Sequence, residues 1–139
     1  MDTRKTIETY LRAWMTQDPD LIVTIFTDDA TYHERVLQEP IRTRAGIRNY
    51  WQTKVVQEQA NIEAHLINLY SADDGTTVIA EWEAIFDDLV QGQRKRMREV
   101  AILEFEGEQI ASLREYWASE PWSPDRPAVS SAVERSAGG

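Results

Sequence analysis

The hydrophobic pattern changes its period near residue 60, and this change limits the folds open to the chain. Before it, apolar residues recur every three or four positions, as at Ile7, Tyr10 and Trp14, which is the stripe of an amphipathic helix. After it, apolar and polar residues alternate, as in TVIAEWEAIF over 77–86, which is typical of half-buried strands. Helices followed by hairpin-connected strands predict an α+β domain with helices packed on one face of an antiparallel sheet.

The same patterns set the expected boundaries. We predict helices at 3–16, 19–27 and 44–58, and strands at 30–36, 61–70, 77–86, 94–105 and 109–118. Asp18 should cap the second helix with Pro19 at its first position, and Thr43 should cap the third. The domain is expected to fill residues 1–120, with the Pro-, Ser- and Ala-rich segment 121–139 as a loosely ordered tail.

Composition excludes several classes of function. The chain has 139 residues, the size of one domain, and it has no Cys, so disulfides and zinc–thiolate sites are excluded. The net charge of −9 disfavours nucleic acid, because contacts to the phosphate backbone need a basic face. No apolar run is long enough to span a membrane, and the N-terminus lacks the core of a signal peptide. We therefore expect a cytoplasmic protein with no membrane partner.

Five stretches, TYLRAW, DLIVTIFTDDATY, PIRTRAGIRNYW, AEWEAIF and VAILEFEGEQIASLREYW, resemble the nuclear-transport-factor-2-like superfamily. The pattern is most similar to SnoaL-like polyketide cyclases and ketosteroid isomerases, over about residues 3–119. The resemblance implies a cone-shaped fold in which a curved antiparallel sheet wraps round three N-terminal helices and an internal apolar pocket, often as a homodimer through the sheet. One departure is Thr43, where such proteins often have Gly.

Glu34 is the first candidate catalytic residue. In a strand, Ala30, Tyr32 and Glu34 share one face, and the resemblance implies that a carboxylate at this position moves a proton next to a ketone. A carboxylate among aromatic side chains suits general acid or base catalysis. The alternative is a carboxylate paired with Arg35 or Arg42 at the pocket mouth.

Tyr10 is the second candidate. The resemblance implies that this helix tyrosine hydrogen-bonds a substrate oxygen, while its place beside Leu11 and Trp14 equally fits core packing. In the isomerases a protonated Asp on the penultimate strand is the second donor to that oxygen. The matching position is Ala101, so we expect this donor to be missing.

Glu115 is the third candidate, on the last predicted strand with Leu113 and Trp117 on its face. The resemblance places this face toward the pocket. The acid usual at the end of this strand is replaced by Ala118, so Glu115 is a possible substitute. The alternative is a salt bridge from Glu115 to a neighbouring Arg.

The basic residues at 94–98, in the fourth predicted strand, are possible partners for two further glutamates. If Trp82 faces inward, Glu81 and Glu83 face outward, opposite Arg96 and Arg98, as an alternating-sign ladder. The opposite register would place the two glutamates and their Arg partners inside, as in an epoxide hydrolase. A shift of one residue exchanges the two faces, so both registers stay open.

The expected ligand is small, apolar or cyclic, because aromatic residues dominate the inward faces. The predicted lining is Trp14, Tyr32, Tyr50, Trp82, Trp117, Leu113 and Ala101. His33 and His65 are the only histidines, so we expect no metal, and we expect no cofactor. The sequence favours an isomerase- or cyclase-like protein that binds a carbonyl compound, with Glu34 transferring the proton. The alternatives are a non-catalytic ligand-binding or accessory dimer, and an epoxide hydrolase.

Overall fold

The computed structural model describes residues 2–125 and confirms the predicted α+β class. The helices are α1 (Thr3–Thr16), α2 (Pro19–Val23) and α3 (Thr43–Trp51), which continues into a π-helical segment (Gln52–Gln57). The strands are β1 (Phe26–His33), β2 (Ile41–Arg42), β3 (Gln59–Ser71), β4 (Thr77–Asp88), β5 (Gln93–Glu106) and β6 (Gln109–Pro121). No helix among the described residues is long and apolar enough to cross a bilayer.

All six strands form one curved sheet, which packs on the helices and does not close into a barrel. The strand order is β2-β1-β6-β5-β4-β3. The pairs are antiparallel except β1 with β6, which run parallel, so the sheet is curved and mostly antiparallel, as predicted, with one parallel pair. The parallel pair matters for function because it brings the end of β1, where Glu34 follows, beside the inner face of β6.

The boundary between α2 and β1 differs from the prediction. Asp18 does cap α2, accepting hydrogen bonds from the amides of Asp20 and Leu21 at 3.0 Å each, and Pro19 is the first helical residue. The helix ends at Val23, however, and not at residue 27. The pair Asp28 and Asp29 lies inside β1, exposed, where the pairing with β6 is irregular. Such a bulge lets two acids face solvent within an otherwise alternating strand.

The start of α3 explains the Thr43 departure. Thr43 has a φ of 70°, in the left-handed region, where glycine fits without strain and a β-branched residue rarely occurs. Its hydroxyl accepts a hydrogen bond from the Gly46 amide at 3.2 Å. Helical structure then continues to residue 57, close to the predicted end at 58, but the last turn is π-helical. Such wider turns are frequent at functional sites.

The register of β4 decides between the two faces. Trp82 is fully buried in the core, and Glu83 lies on the opposite face across from Arg98. Glu83 bonds Arg96 Nε and lies 3.4 Å from Arg98 Nη2. The predicted outer ladder is therefore confirmed. The alternative in which Glu81, Glu83 and an Arg line an interior epoxide-hydrolase site is wrong.

The outer face of the sheet also carries half-exposed apolar residues. Tyr70 and Tyr116 are 55% and 47% exposed. The dimer through this face stays a prediction. Strand β6 extends to Pro121, one residue past the expected domain end, and the predicted loosely ordered tail falls largely in 126–139, outside the described residues.

Candidate active site

A cavity of about 40 Å³ lies between the helices and the inner face of the sheet. Its walls come from α1, β1, α3 with its π-helical turn, and the start of β3, together with β5 and β6. Aromatic side chains form most of the surface: Tyr10, Trp14, Tyr32, Tyr50, Trp51 and Trp117. Three acids, Glu34, Glu99 and Glu115, also line it, so the site is less apolar than the sequence suggested.

Glu99 and Glu115 form a buried pair at the closed end. In the β5–β6 register Glu99 lies opposite Trp117 and Ala101 lies opposite Glu115, so the two acids are diagonal neighbours on the inner face. Their residues are 3% and 5% exposed. Their carboxyl groups lie within hydrogen-bonding reach of each other. Two carboxylates this close cannot both be ionised at low cost, so the pair holds a proton.

The environment assigns that proton to Glu99. Burial, then the charge and hydrogen bond of Glu115, raises the pKa of Glu99 well above its usual range. Burial also raises the pKa of Glu115, but hydrogen bonds from Glu99 and Tyr10 oppose that rise. Of the two acids, Glu99 therefore holds its proton more strongly, and Glu115 is the partner that ionises more readily.

Two tyrosines hold the carboxylate in place. The Tyr10 hydroxyl donates to Glu115 Oε2 at 3.1 Å, and the hydroxyls of Tyr10 and Tyr32 are 2.7 Å apart. Because Tyr10 donates to the carboxylate, Tyr32 donates to Tyr10, which gives a directed chain. Burial and the charge of Glu115 raise the pKa values of both phenols well above their usual range, so both remain donors. Tyr10 thus packs in the core and also takes part in the polar network.

Glu34 lies at the cavity mouth, one residue beyond β1. Its side chain is 18% exposed, and its carboxylate lies 3.3 Å from Arg35 Nε, the ion pair considered from the sequence. Trp117 Nε1 donates to the Glu34 backbone carbonyl at 3.1 Å. The Glu34 charge nevertheless reaches inward, because it raises the pKa of Glu99 and of Glu115.

Beyond the mouth, the cavity meets an outer space of about 150 Å³, here called the vestibule, which is also lined by Glu34, Lys54, Met97 and Trp117. The vestibule is the route by which a ligand larger than a few atoms would reach the acid pair. The lysines and carboxylates of the vestibule form a polar rim around an aromatic wall.

The predicted site residues divide into two groups. Seven line the cavity: Tyr10, Trp14, Tyr32, Glu34, Tyr50, Glu115 and Trp117. Trp82, Leu113 and Ala101 lie in the surrounding core with no surface on the cavity. Trp82 supports the site from behind, since its ring stacks on Tyr10 with centroids 4.9 Å apart.

Six lining residues were not predicted from the sequence: Trp51, Lys54, Val55, Gln59, Met97 and Glu99. The signal for Glu99 was present, because the alternation that puts Ala101 inward also puts Glu99 inward. The position of the usual acid is occupied by Ala101, and a different acid, Glu99, lies two residues earlier on the same face. Trp51 lies in the stretch PIRTRAGIRNYW but was not predicted to line the cavity. In residues 2–125 no three His, Asp or Glu side chains are arranged to hold a metal ion.

Comparison with solved structures gives the same fold at low identity. A structure described as the epoxide hydrolase/cyclase-like enzyme SalBIII, in pyran ring formation in the polyether salinomycin, is 23% identical. It aligns over 86% of this chain and 95% of its own, with a TM-score of 0.76. A hypothetical protein with a ketosteroid isomerase-like fold from Catenulispora acidiphila DSM 44928, in complex with trimethylamine, is 20% identical. It aligns over 82% and 85%, with a TM-score of 0.72.

A third structure, an M. tuberculosis LEH-like epoxide hydrolase, is 18% identical, aligns over 82% of this chain and 80% of its own, and has a TM-score of 0.67. No curated protein matches the sequence significantly. The family model for the SnoaL-like domain matches residues 7–113, which include α1 to α3, β1 to β5 and the first part of β6. By fold and by sequence, the chain belongs to the SnoaL-like domain family.

Proposed function

We propose that this protein is an acid–base cyclase that closes a ring in a small, mostly apolar substrate by opening an epoxide with the substrate's own hydroxyl. The observation that supports this proposal most strongly is the buried Glu99–Glu115 pair, two acids that lie diagonally on the inner face of the sheet, of which Glu99 holds its proton more strongly. The pair presents a proton donor and a proton acceptor side by side in an aromatic cavity.

The proposed step conserves atoms and charge. The hydroxyl oxygen of the substrate attacks an epoxide carbon, forming a C–O bond while the strained C–O bond of the epoxide breaks. Glu99 gives its proton to the departing epoxide oxygen, and Glu115 takes the proton of the attacking hydroxyl. The pair carries one negative charge before and after the step, so no second buried charge develops.

Glu34 is proposed to act through its charge. Its carboxylate stands at the mouth and raises the pKa of both inner acids, which keeps the proton on Glu99. The role expected from the sequence, in which Glu34 itself transfers the proton, is the alternative. If Glu34 is the base, Glu34→Gln should cost as much activity as Glu115→Gln. If it acts through its charge, the loss should be smaller and dependent on pH.

The structural relatives support this class of reaction without identifying the substrate. SalBIII is described as epoxide hydrolase/cyclase-like, and a second relative as an epoxide hydrolase. Trp117, which lines both the cavity and the vestibule, would hold the apolar part of the substrate by aromatic contact. In this proposal the ligand is small, apolar and neutral, and no metal or cofactor takes part.

The test uses two substrates, one for ring closure and one for isomerisation of a carbonyl compound. The purified protein is incubated with an epoxide that carries a hydroxyl four bonds away, and separately with cyclohex-3-enone, and products are followed by NMR. We expect ring closure of the epoxy alcohol, and a loss of about 10²- to 10⁴-fold in kcat/KM for Glu99→Gln and for Glu115→Gln. A matched control is Glu104→Gln, an exposed glutamate on β5.

Three outcomes would count against the proposal. Conversion of the enone alone would support the carbonyl isomerase expected from the sequence. Formation of a diol would support hydrolysis instead of ring closure. Binding without turnover of either substrate would support the non-catalytic ligand-binding alternative.

A further inference from the structure

Trp51 carries a hydrogen-bond donor that has no partner. It ends α3, is 1% exposed, and lines the cavity with the acid pair. Among residues 2–125 its Nε1 atom has no hydrogen-bond partner. Buried indole N–H groups usually find an acceptor, and a buried donor left without one costs about 1–3 kcal/mol.

The same cavity holds an acceptor without a partner. Glu99 Oε2 is buried and makes no hydrogen bond, although its carboxyl group contacts Glu115. The other cavity tryptophans are satisfied, because Trp14 Nε1 donates to Gln59 Oε1 at 2.8 Å and Trp117 Nε1 donates to Glu34 O at 3.1 Å. Trp82 Nε1 also has no partner among the described residues, but Trp82 lies in the core behind the cavity, so Trp51 is the lining tryptophan whose N–H has no acceptor.

Charge and size restrict what that ligand can be. Glu34 and Glu115 carry the negative charge around about 40 Å³, with Lys54 as the cation of the lining, so a carboxylate or a phosphate is disfavoured at the acid pair. An ammonium group suits the charge but has only donors, so it would leave the Trp51 N–H without an acceptor. The volume admits a few heavy atoms and no ring system. A neutral oxygen on a small carbon unit fits all three restrictions.

We infer that the closed end of the cavity is a site for one neutral oxygen atom of the substrate, and that Trp51 Nε1 donates a hydrogen bond to it. Trp51 is a positioning residue that holds the oxygen where the Glu99 carboxyl group can reach it, while the larger apolar part of the molecule stays in the vestibule. This inference rests on the proposed function for the identity of the oxygen, which is the epoxide or ring-ether oxygen. It predicts selectivity for a terminal, unhindered oxygen.

The test observes the indole protons of the ¹⁵N-labelled protein by NMR, which requires no turnover. Cyclohexanone is the oxygen probe, and methylenecyclohexane, which has the same shape without the oxygen, is its control. We expect cyclohexanone to move the Trp51 indole proton downfield, with smaller changes for Trp14 and Trp117, whose donors are already bonded. Methylenecyclohexane should leave the Trp51 proton in place. The signal is assigned by its loss in Trp51→Phe, which should bind cyclohexanone about three- to tenfold more weakly.

The inference is overturned if cyclohexanone leaves the Trp51 signal unchanged, or if both probes move it equally. It is also overturned if tetramethylammonium binds in the cavity and cyclohexanone does not. These outcomes are separate from failure of the proposed function. If Glu99→Gln is inactive but cyclohexanone does not move the Trp51 signal, only the oxygen site is refuted. If cyclohexanone moves the signal but Glu99→Gln is fully active, only the acid role of Glu99 is refuted.

Discussion

Tyr10→Phe tests the polar network because it removes one oxygen atom and little packing. The lost contacts are the hydrogen bond to the Glu115 carboxylate at 3.1 Å and the one with Tyr32 at 2.7 Å. A hydrogen bond to a charged group contributes about 1.5–3 kcal/mol and a neutral one about 1 kcal/mol. We therefore expect the free energy of unfolding to fall by about 2.5–4 kcal/mol at neutral pH.

The assay is urea unfolding followed by tryptophan fluorescence, which five tryptophans make sensitive. Tyr70→Phe is the matched control, because Tyr70 is 55% exposed. That variant should change the free energy of unfolding by less than about 0.5 kcal/mol. As the pH falls and Glu115 takes up a proton, the penalty for Tyr10→Phe should shrink, because the charged acceptor is lost.

A double-mutant cycle isolates the Tyr10–Glu115 contact. Tyr10→Phe in the background of Glu115→Gln should cost less than in the wild type, with a coupling free energy of about 1–2 kcal/mol. Two results would refute the reasoning. One is a loss for Tyr10→Phe that equals the Tyr70→Phe control, and the other is a loss that does not depend on pH.

Three further predictions concern charge and backbone. The folded state raises the pKa of Glu99, so it binds more protons than the unfolded chain. The free energy of unfolding of the wild type should therefore fall as the pH rises from the ordinary carboxyl range through that raised pKa. Urea titrations at several pH values should show a smaller fall for Glu99→Gln. Because Glu34 raises the pKa of Glu99 and Glu115, Glu34→Gln should move both limits of the kcat/KM pH profile to lower pH; unmoved limits would contradict this. Gly46→Ala should stabilise α3 by about 0.5–1 kcal/mol, since an added Cβ would be 3.5 Å from Ile41 Cγ2 and Thr43 Oγ1; a lower thermal midpoint would contradict it.

Periodicity predicted most of the fold because it records burial directly. The alternation around Trp82 gave the correct face for β4, and with it the outward position of Glu83. What periodicity could not provide was the pairing of β1 with β6 in parallel, because no local signal records which strands become neighbours. The end of α2 was misplaced for a related reason, since Ile25 and Phe26 are buried in either structure.

The site was predicted only in part, and Glu99 shows why. In the sequence this residue directly follows the basic run at 94–98, and a charge in that position suggests the same solvent-exposed face as those residues. Its side chain belongs to the other face, with Ala101 and Leu103. The pairing of Glu99 with Glu115 depends on the β5–β6 register, which one sequence does not contain. Resemblance pointed to the position of the usual acid and did not anticipate an acid two residues away.

The stability of the Glu99 variant also separates a structural acid from a chemical one. A buried residue that serves the fold lowers stability when it is replaced by a neutral isostere, as expected for Tyr10→Phe. For Glu99→Gln the expected change in the free energy of unfolding has the opposite sign at pH values above the ordinary carboxyl range. The amide replaces a group that resists ionisation in the interior, so the variant should be the more stable protein there. A variant that gains stability at alkaline pH while it loses turnover would show that this carboxyl group opposes the fold and serves the reaction. A variant that loses both would place Glu99 with Tyr10 in the supporting network and leave Glu34 as the acid to test next.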